Sequence, residues 1–138
     1  MKISTFLTFV NDQCGKAEEA MHFYISVFPN SEIKSVSKFA EGDPGGQADL
    51  IKHGIFTLNG VEYMISENTY NHKWGITPGV SLFIVCDTEA EIDDYFAKLS
   101  EGGQVMLPLG NYESEGFGKK FGWCADKYGV NWQLQLAA

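Results

Sequence analysis

Basic charge, cysteine and long apolar runs are all scarce in this chain, and each scarcity removes a class of function. Ten basic residues stand against 18 acidic ones, for a formal net charge of −8. The longest basic run is Lys119-Lys120, which is too little to track a phosphate backbone or an anionic bilayer. No nucleic acid and no membrane are therefore expected as partners, whereas cationic small molecules are favoured by the field. The three cysteines, Cys14, Cys86 and Cys124, lie far apart, with no C-x-x-C and an odd total. That is poor material for a disulfide framework or a zinc site, and it fits reduced thiols in the cytoplasm. The first apolar run, ISTFLTFV, stops at Asn11-Asp12, too short for a signal segment or a bilayer span. It reads as a strand.

Core-forming residues are plentiful. Of 138 residues, 44% are hydrophobic and 14% aromatic, which suits one folded domain over residues 1–138 and excludes disorder. From Ala17 the segment AEEAMHFYISVF places Ala17, Ala20, Met21, Tyr24, Val27 and Phe28 on one helical stripe, and Pro29-Asn30-Ser31 ends it. A second helix opens at DTEAE, where Thr88 and Glu91 form a capping box. It then repeats Ile92, Tyr95, Phe96 and Leu99 before Gly102-Gly103. Laid over each other, the two helices match Ala20 with Ile92, Tyr24 with Phe96 and Val27 with Leu99.

The flanks repeat too. TFLTFVND precedes the first helix and VSLFIVCD the second, and three strand-like runs follow each. In the first half these runs are Ile33–Phe39, Leu50–Leu58 and Val61–Ser66, with Asn59-Gly60 as a hairpin turn. In the second half they are Gln104–Tyr112, Gly118–Ala125 and Val130–Leu136. The chain is thus an α+β protein of two βαβββ modules, about 2–68 and 79–136, joined by a linker at 69–78. Neither half covers its own sheet well. The expectation is one curved, mostly antiparallel sheet around a cleft, with the helices outside. The closing strand alternates Trp132, Leu134 and Leu136 with the amides Asn131, Gln133 and Gln135, so one face packs and the other is polar. Those three amides are expected to floor a ligand cleft. The competing reading is a sheet face open to water.

The paired modules resemble the vicinal oxygen chelate superfamily, which includes glyoxalases, bleomycin- and fosfomycin-resistance proteins and extradiol dioxygenases. The stretches TFLTFVNDQCGKAEEAMHFYISVFPNSEI, SLFIVCDTEAEIDDYFAKLSEGG and GWCADKYGVNWQLQL are similar to its PhnB-like branch, labelled as a 3-demethylubiquinone-9 3-methyltransferase domain. The resemblance implies a glyoxalase/bleomycin-resistance fold, a homodimer and a small-molecule ligand. It also implies four symmetric strand positions for ligands to a divalent metal. In this chain those positions fall at Ser4 or Thr5, at Met64, at Val80 or Ser81, and at Gln133; only Gln133 offers a suitable donor. Methyl transfer has no counterpart in the residues. NDQCGK follows the first strand instead of a glycine-rich nucleotide turn, and GFGKKFG leads into a strand.

Other candidates remain. His53 in LIKHGIF is either a core histidine or a cleft base assisted by Glu62, and these two are the catalytic candidates. His72 and Trp74 in the linker NTYNHKWG either touch a ligand or anchor the linker. Cys124 is a possible cleft thiol, His22 a solvated helix residue, and Glu113 and Glu115 a solvated loop. Two functions stay open. One is a metal-free binding module whose cleft is lined by Phe6, Phe56, Trp74, Trp123, Met64 and the amides. The other is an enzyme with a non-standard centre of His53, Glu62 and Gln133, using a divalent metal or a general base.

Overall fold

The computed structural model describes residues 1–138. Its elements are β1 (Thr5–Phe9), α1 (Ala17–Val27), β2 (Glu32–Lys38), β3 (Ile51–Leu58), β4 (Val61–Glu67), β5 (Ser81–Cys86), α2 (Glu89–Ser100), β6 (Gln104–Tyr112), β7 (Gly118–Ala125) and β8 (Asn131–Leu136). Short 3-10 turns at Asn11–Gln13 and Glu113–Glu115 lie outside the regular pattern. Two βαβββ modules are therefore present, as the duplicated hydrophobic pattern dictates.

The expected α+β architecture of paired modules is present, and its strands are hydrogen-bonded in two four-stranded sheets, in the orders β1-β4-β3-β2 and β5-β8-β7-β6. In each, the opening strand lies parallel to the closing strand of its own module, Leu7 beside Ile65 and Ile84 beside Leu134. The other pairings are antiparallel. Each ladder is thus completed inside one module. The chain divides into two compact units, Met1–Ile76 and Thr77–Ala138, so most of the linker belongs to the first.

In each unit a helix covers one face of its sheet. Ala17, Ala20, Met21, Tyr24 and Val27 are buried on α1, and Ile92, Phe96 and Leu99 on α2. Thr88 Oγ1 accepts from the Glu91 N–H at 3.1 Å, while the Glu91 carboxylate reaches back to the Asp87 N–H at 2.9 Å. α1 has no side-chain cap, but Glu18 and Glu19 place negative charge on its first turn, where the helix dipole favours it. Glycine lets both helices approach closely. A Cβ on Gly54 would press on Met21 of α1, and one on Gly122 would press on Phe96 of α2. The Asn59-Gly60 hairpin has positive φ at both central residues, as its turn type requires.

A buried carboxylate is placed in each unit. Glu67 accepts from the Gly15 and Ile51 N–H groups at 2.5 and 2.7 Å, tying the start of α1 to the sheet. Asp126 accepts from the Tyr128 and Val130 N–H groups and, at 2.9 Å, from the Trp132 indole. Both are fully hydrogen-bonded, which offsets the cost of burying charge.

Candidate ligand-binding faces

The strand pleat sorts every candidate residue onto one of two faces, and the helix contacts say which face is which. In the second unit, Gly122 lies under α2, so its neighbours Phe121 and Trp123 point the other way. Register carries that open face across the sheet, through Phe83, Gln133 and Trp123 in one row and through Val85, Gln135 and Phe121 in the next.

The three amides share this face but differ in their duties. Asn131 is buried; its Oδ1 accepts from the Trp123 indole at 2.8 Å and its Nδ2 donates to the Gly129 carbonyl at 3.1 Å. It is a structural brace. Gln133 and Gln135 are half-buried. Gln133 Nε2 donates to Ser81 Oγ at 3.1 Å, and Gln135 Nε2 donates to the Phe117 carbonyl at 3.0 Å. Each of these two side chains is fixed by its N–H, leaving the carbonyl oxygen as a free acceptor. Phe83 and Val85 beside them are 53% and 56% exposed.

An aromatic cluster borders the amides. Phe121 is buried on this face because Phe117 stacks on it at 4.8 Å, Tyr112 meets it edge-on at 5.9 Å, and Phe83 lies at 6.4 Å. The sequence reading missed this group, although the spacing of Tyr112, Phe117 and Phe121 around a glycine-rich turn was a usable signal. Next to it, Glu113, Gly118, Lys119, Gln135, Leu136, Ala137 and Ala138 line a cavity of about 340 Å³. Glu113 and Glu115 are exposed, as their loop composition implies.

In the first unit, Gly54 and Phe56 point at α1, so Phe6, His53, Ile55 and Met64 share the open face. Phe56 is therefore no cleft residue. It is fully buried between Tyr24 at 6.2 Å and Tyr63 at 5.7 Å, because its place in the strand alternation puts it under the helix. Burial also pushes the Tyr63 hydroxyl above its ordinary pKa. Met64 is flanked by Phe6 and Ile55.

His53 and Glu62 do share this open face, but register keeps them apart. Glu62 pairs with Thr57, four residues along β3 from His53, which is about 13 Å of strand. Glu62 is instead ion-paired with Lys2 at 2.6 Å. His53 has the Phe6 ring at 5.9 Å and no hydrogen-bond partner. The two do not form one centre.

The linker residues are pinned. Asn11, with φ of 54°, donates from Nδ2 to the carbonyls of His72 and Trp74 at 3.0 Å each and accepts from the His72 N–H at 2.9 Å. The rings of His72 and Trp74 lie 4.4 Å apart, and His72 Nε2 is 2.9 Å from Asn68 Oδ1. Trp74 itself remains half exposed. His22 is exposed on α1. Cys124 lies opposite Trp132 and Val105, fully buried on the side that α2 covers, so it is not a cleft thiol.

The sequence matches the family described as 3-demethylubiquinone-9 3-methyltransferase over residues 1–135. The chain belongs to this family. A PhnB protein from Bacillus cereus shares 50% identity with this PhnB-like chain at a TM-score of 0.89, with 99% of this chain and 100% of that one covered. Protein PA1353 from Pseudomonas aeruginosa shares 26% at a TM-score of 0.81, with 99% and 97% covered. The fosfomycin resistance protein FosX from Mesorhizobium loti has the same fold at 14% identity and a TM-score of 0.60, with 99% and 92% covered. No curated protein sequence matches.

The groups that these kinships bring to mind can be tested against the PhnB-like chain's own donors. For a divalent metal, the second unit offers Ser81 and Gln133 hydrogen-bonded to each other, and the first offers the Met64 thioether. No three His, Cys, Asp or Glu side chains converge anywhere. That donor set does not fit a catalytic divalent ion. For a nucleotide methyl donor, β1 runs into a 3-10 turn and each sheet holds a single parallel pair, so the strand–glycine turn–helix cradle is missing. The family's descriptor and the chain's geometry part company here. No helix is long and apolar enough to cross a membrane.

Proposed function

We propose that this chain is a PhnB-like small-molecule-binding protein that works without the superfamily's usual metal site. The observation that carries the reading is the open face of the second unit. There Gln133 and Gln135 are each locked through the amide N–H, each keeps a free carbonyl oxygen, and both lie among exposed Phe83 and Val85. A few fixed acceptors on an apolar floor orient a small ligand without performing chemistry on it. Met64, Phe6, His72 and Trp74 are proposed as ligand contacts of the first unit's own open face and linker. The protein is further proposed to be a cytoplasmic homodimer, because Phe6 and Phe83 leave apolar surface for a second copy to cover.

The test is a thermal-shift screen of small aromatic compounds, charged and neutral, on the wild type and on Gln133→Leu. At least one compound should raise the melting temperature of the wild type. In Gln133→Leu its affinity should drop on the order of tenfold, with the unliganded melting temperature nearly unchanged. A screen with no responder, or a responder indifferent to Gln133→Leu, would remove the reading.

The half-buried imidazole of His53, which has no hydrogen-bond partner, favours one alternative, an enzyme centred on the first unit that uses His53 with a divalent metal or as a general base. Metal analysis and His53→Ala separate the two. Stoichiometric divalent metal in the purified protein that disappears in His53→Ala would move the assignment to the enzyme.

A further inference from the structure

The one basic dipeptide, Lys119-Lys120, is split by the pleat of β7. Lys120 turns under α2, where Asp93 and Glu89 hold it at 2.7 and 3.4 Å. Lys119 turns to the other face and lines the cavity beside Gln135, with no carboxylate within ion-pair distance. All ten basic residues of the chain are lysines, and seven of them contact a carboxylate or an aromatic ring. An unpaired ammonium beside a free amide oxygen and an aromatic cluster is therefore a local exception on a strongly acidic protein.

We infer that the open face of the second unit selects ligands that carry one anionic group on an apolar or aromatic body. The anion lies against Lys119, and the body fills the cavity against Gln135, Leu136 and Ala137, next to Phe117. This rests on the small-molecule-binding reading above and names its ligand class, against the expectation from net charge alone, which favours cations. The cavity of about 340 Å³ is at the small end of ligand sites, enough for one ring and a carboxylate. Glu113 lines the same cavity, its Oε1 taken by Asn111 Nδ2 at 3.1 Å. Its charge sets a limit: one negative group is balanced by Lys119, and a second meets Glu113.

Three probes of one shape but different charge test this: benzoate, benzamide and benzylamine, titrated at low salt while the side-chain amide signals of Gln133 and Gln135 are followed by NMR. Benzoate should bind about three- to fivefold more tightly than benzamide, the range of an exposed ion pair. The advantage should vanish in Lys119→Gln, grow in Glu113→Gln, and shrink at high salt. Both substitutions are on exposed side chains and leave the fold intact. If the probes bind without an anion preference, or benzylamine binds best, the anion assignment falls and the binding reading stands. If none of the three moves the amide signals, both fall together.

Discussion

The residues that looked most like a ligand site divide into braces and free groups, and hydrogen-bond accounting is what separates them. Asn131 spends both ends of its amide on Trp123 and Gly129, and Asp126 spends its carboxylate on the adjoining turn and Trp132. The distinctive segment GWCADKYGVNWQLQL is thus largely a self-bracing hairpin. The buried thiols belong to the same structural class. Burial first, then Asp126, pushes the Cys124 thiol up to about 12, and burial, then Glu91 and Asp87, pushes Cys86 up to about 11. Both values lie above the ordinary thiol value of 9.0, so the folded state keeps protons that the unfolded chain gives up. Below about pH 9 the two states are protonated alike and nothing is lost. From there towards pH 11, stability should fall by up to about 1.4 kcal/mol per thiol and pH unit. Urea unfolding between pH 8 and 10.5 measures the slope, and the double variant Cys86→Ala/Cys124→Ala should flatten it. An unchanged slope would show that these thiols are not the groups withheld from ionisation.

At the scale of elements, both helices, the hairpin turn and all eight strands were legible because their hydrophobic periods are regular and each is repeated once. What the periods did not fix was register. The separation of His53 from Glu62 follows from the pairing of Glu62 with Thr57, and no alternation pattern encodes a partner strand's offset. Phe56 was placed on the wrong face for a related reason. β3 is buried at Ile51, Gly54, Phe56, Thr57 and Leu58, so it lacks the clean alternation that would have marked its helix side. The linker was legible only as a loop. Its anchoring by one side chain makes a sharp expectation. Asn11→Ala removes three hydrogen bonds and puts a side chain with little tolerance for positive φ at 54°. It should cost about 1–3 kcal/mol and speed hydrogen exchange at the His72 amide, whose acceptor is lost. Asn11→Gly relieves the backbone strain alone, so it should recover part of the stability and none of the exchange protection. Equal protection of His72 in all three proteins would mean that something other than Asn11 holds the linker.

For the molecule as a whole, the telling feature is that each unit covers one face of its sheet with a helix and leaves large apolar side chains on the other. Phe6 is 48% exposed and Phe83 53%, each within a strand rather than on a loop. A strand residue with a hydrophobic neighbour on the same face is where a partner gains most from excluding water, at about 25 cal/mol for each Å² covered. Association with a second copy is the proposed cover, and it makes stability depend on concentration. Light scattering should give twice the 15.3 kDa chain mass at micromolar concentration, with the melting temperature rising on concentration. Phe83→Lys places a charge on that open face while leaving the α2 side of the sheet untouched. It should shift the protein towards monomer and leave the far-ultraviolet circular dichroism unchanged. A monomer mass for the wild type at every concentration, with a constant melting temperature, would mean that these faces stay uncovered and serve ligands alone.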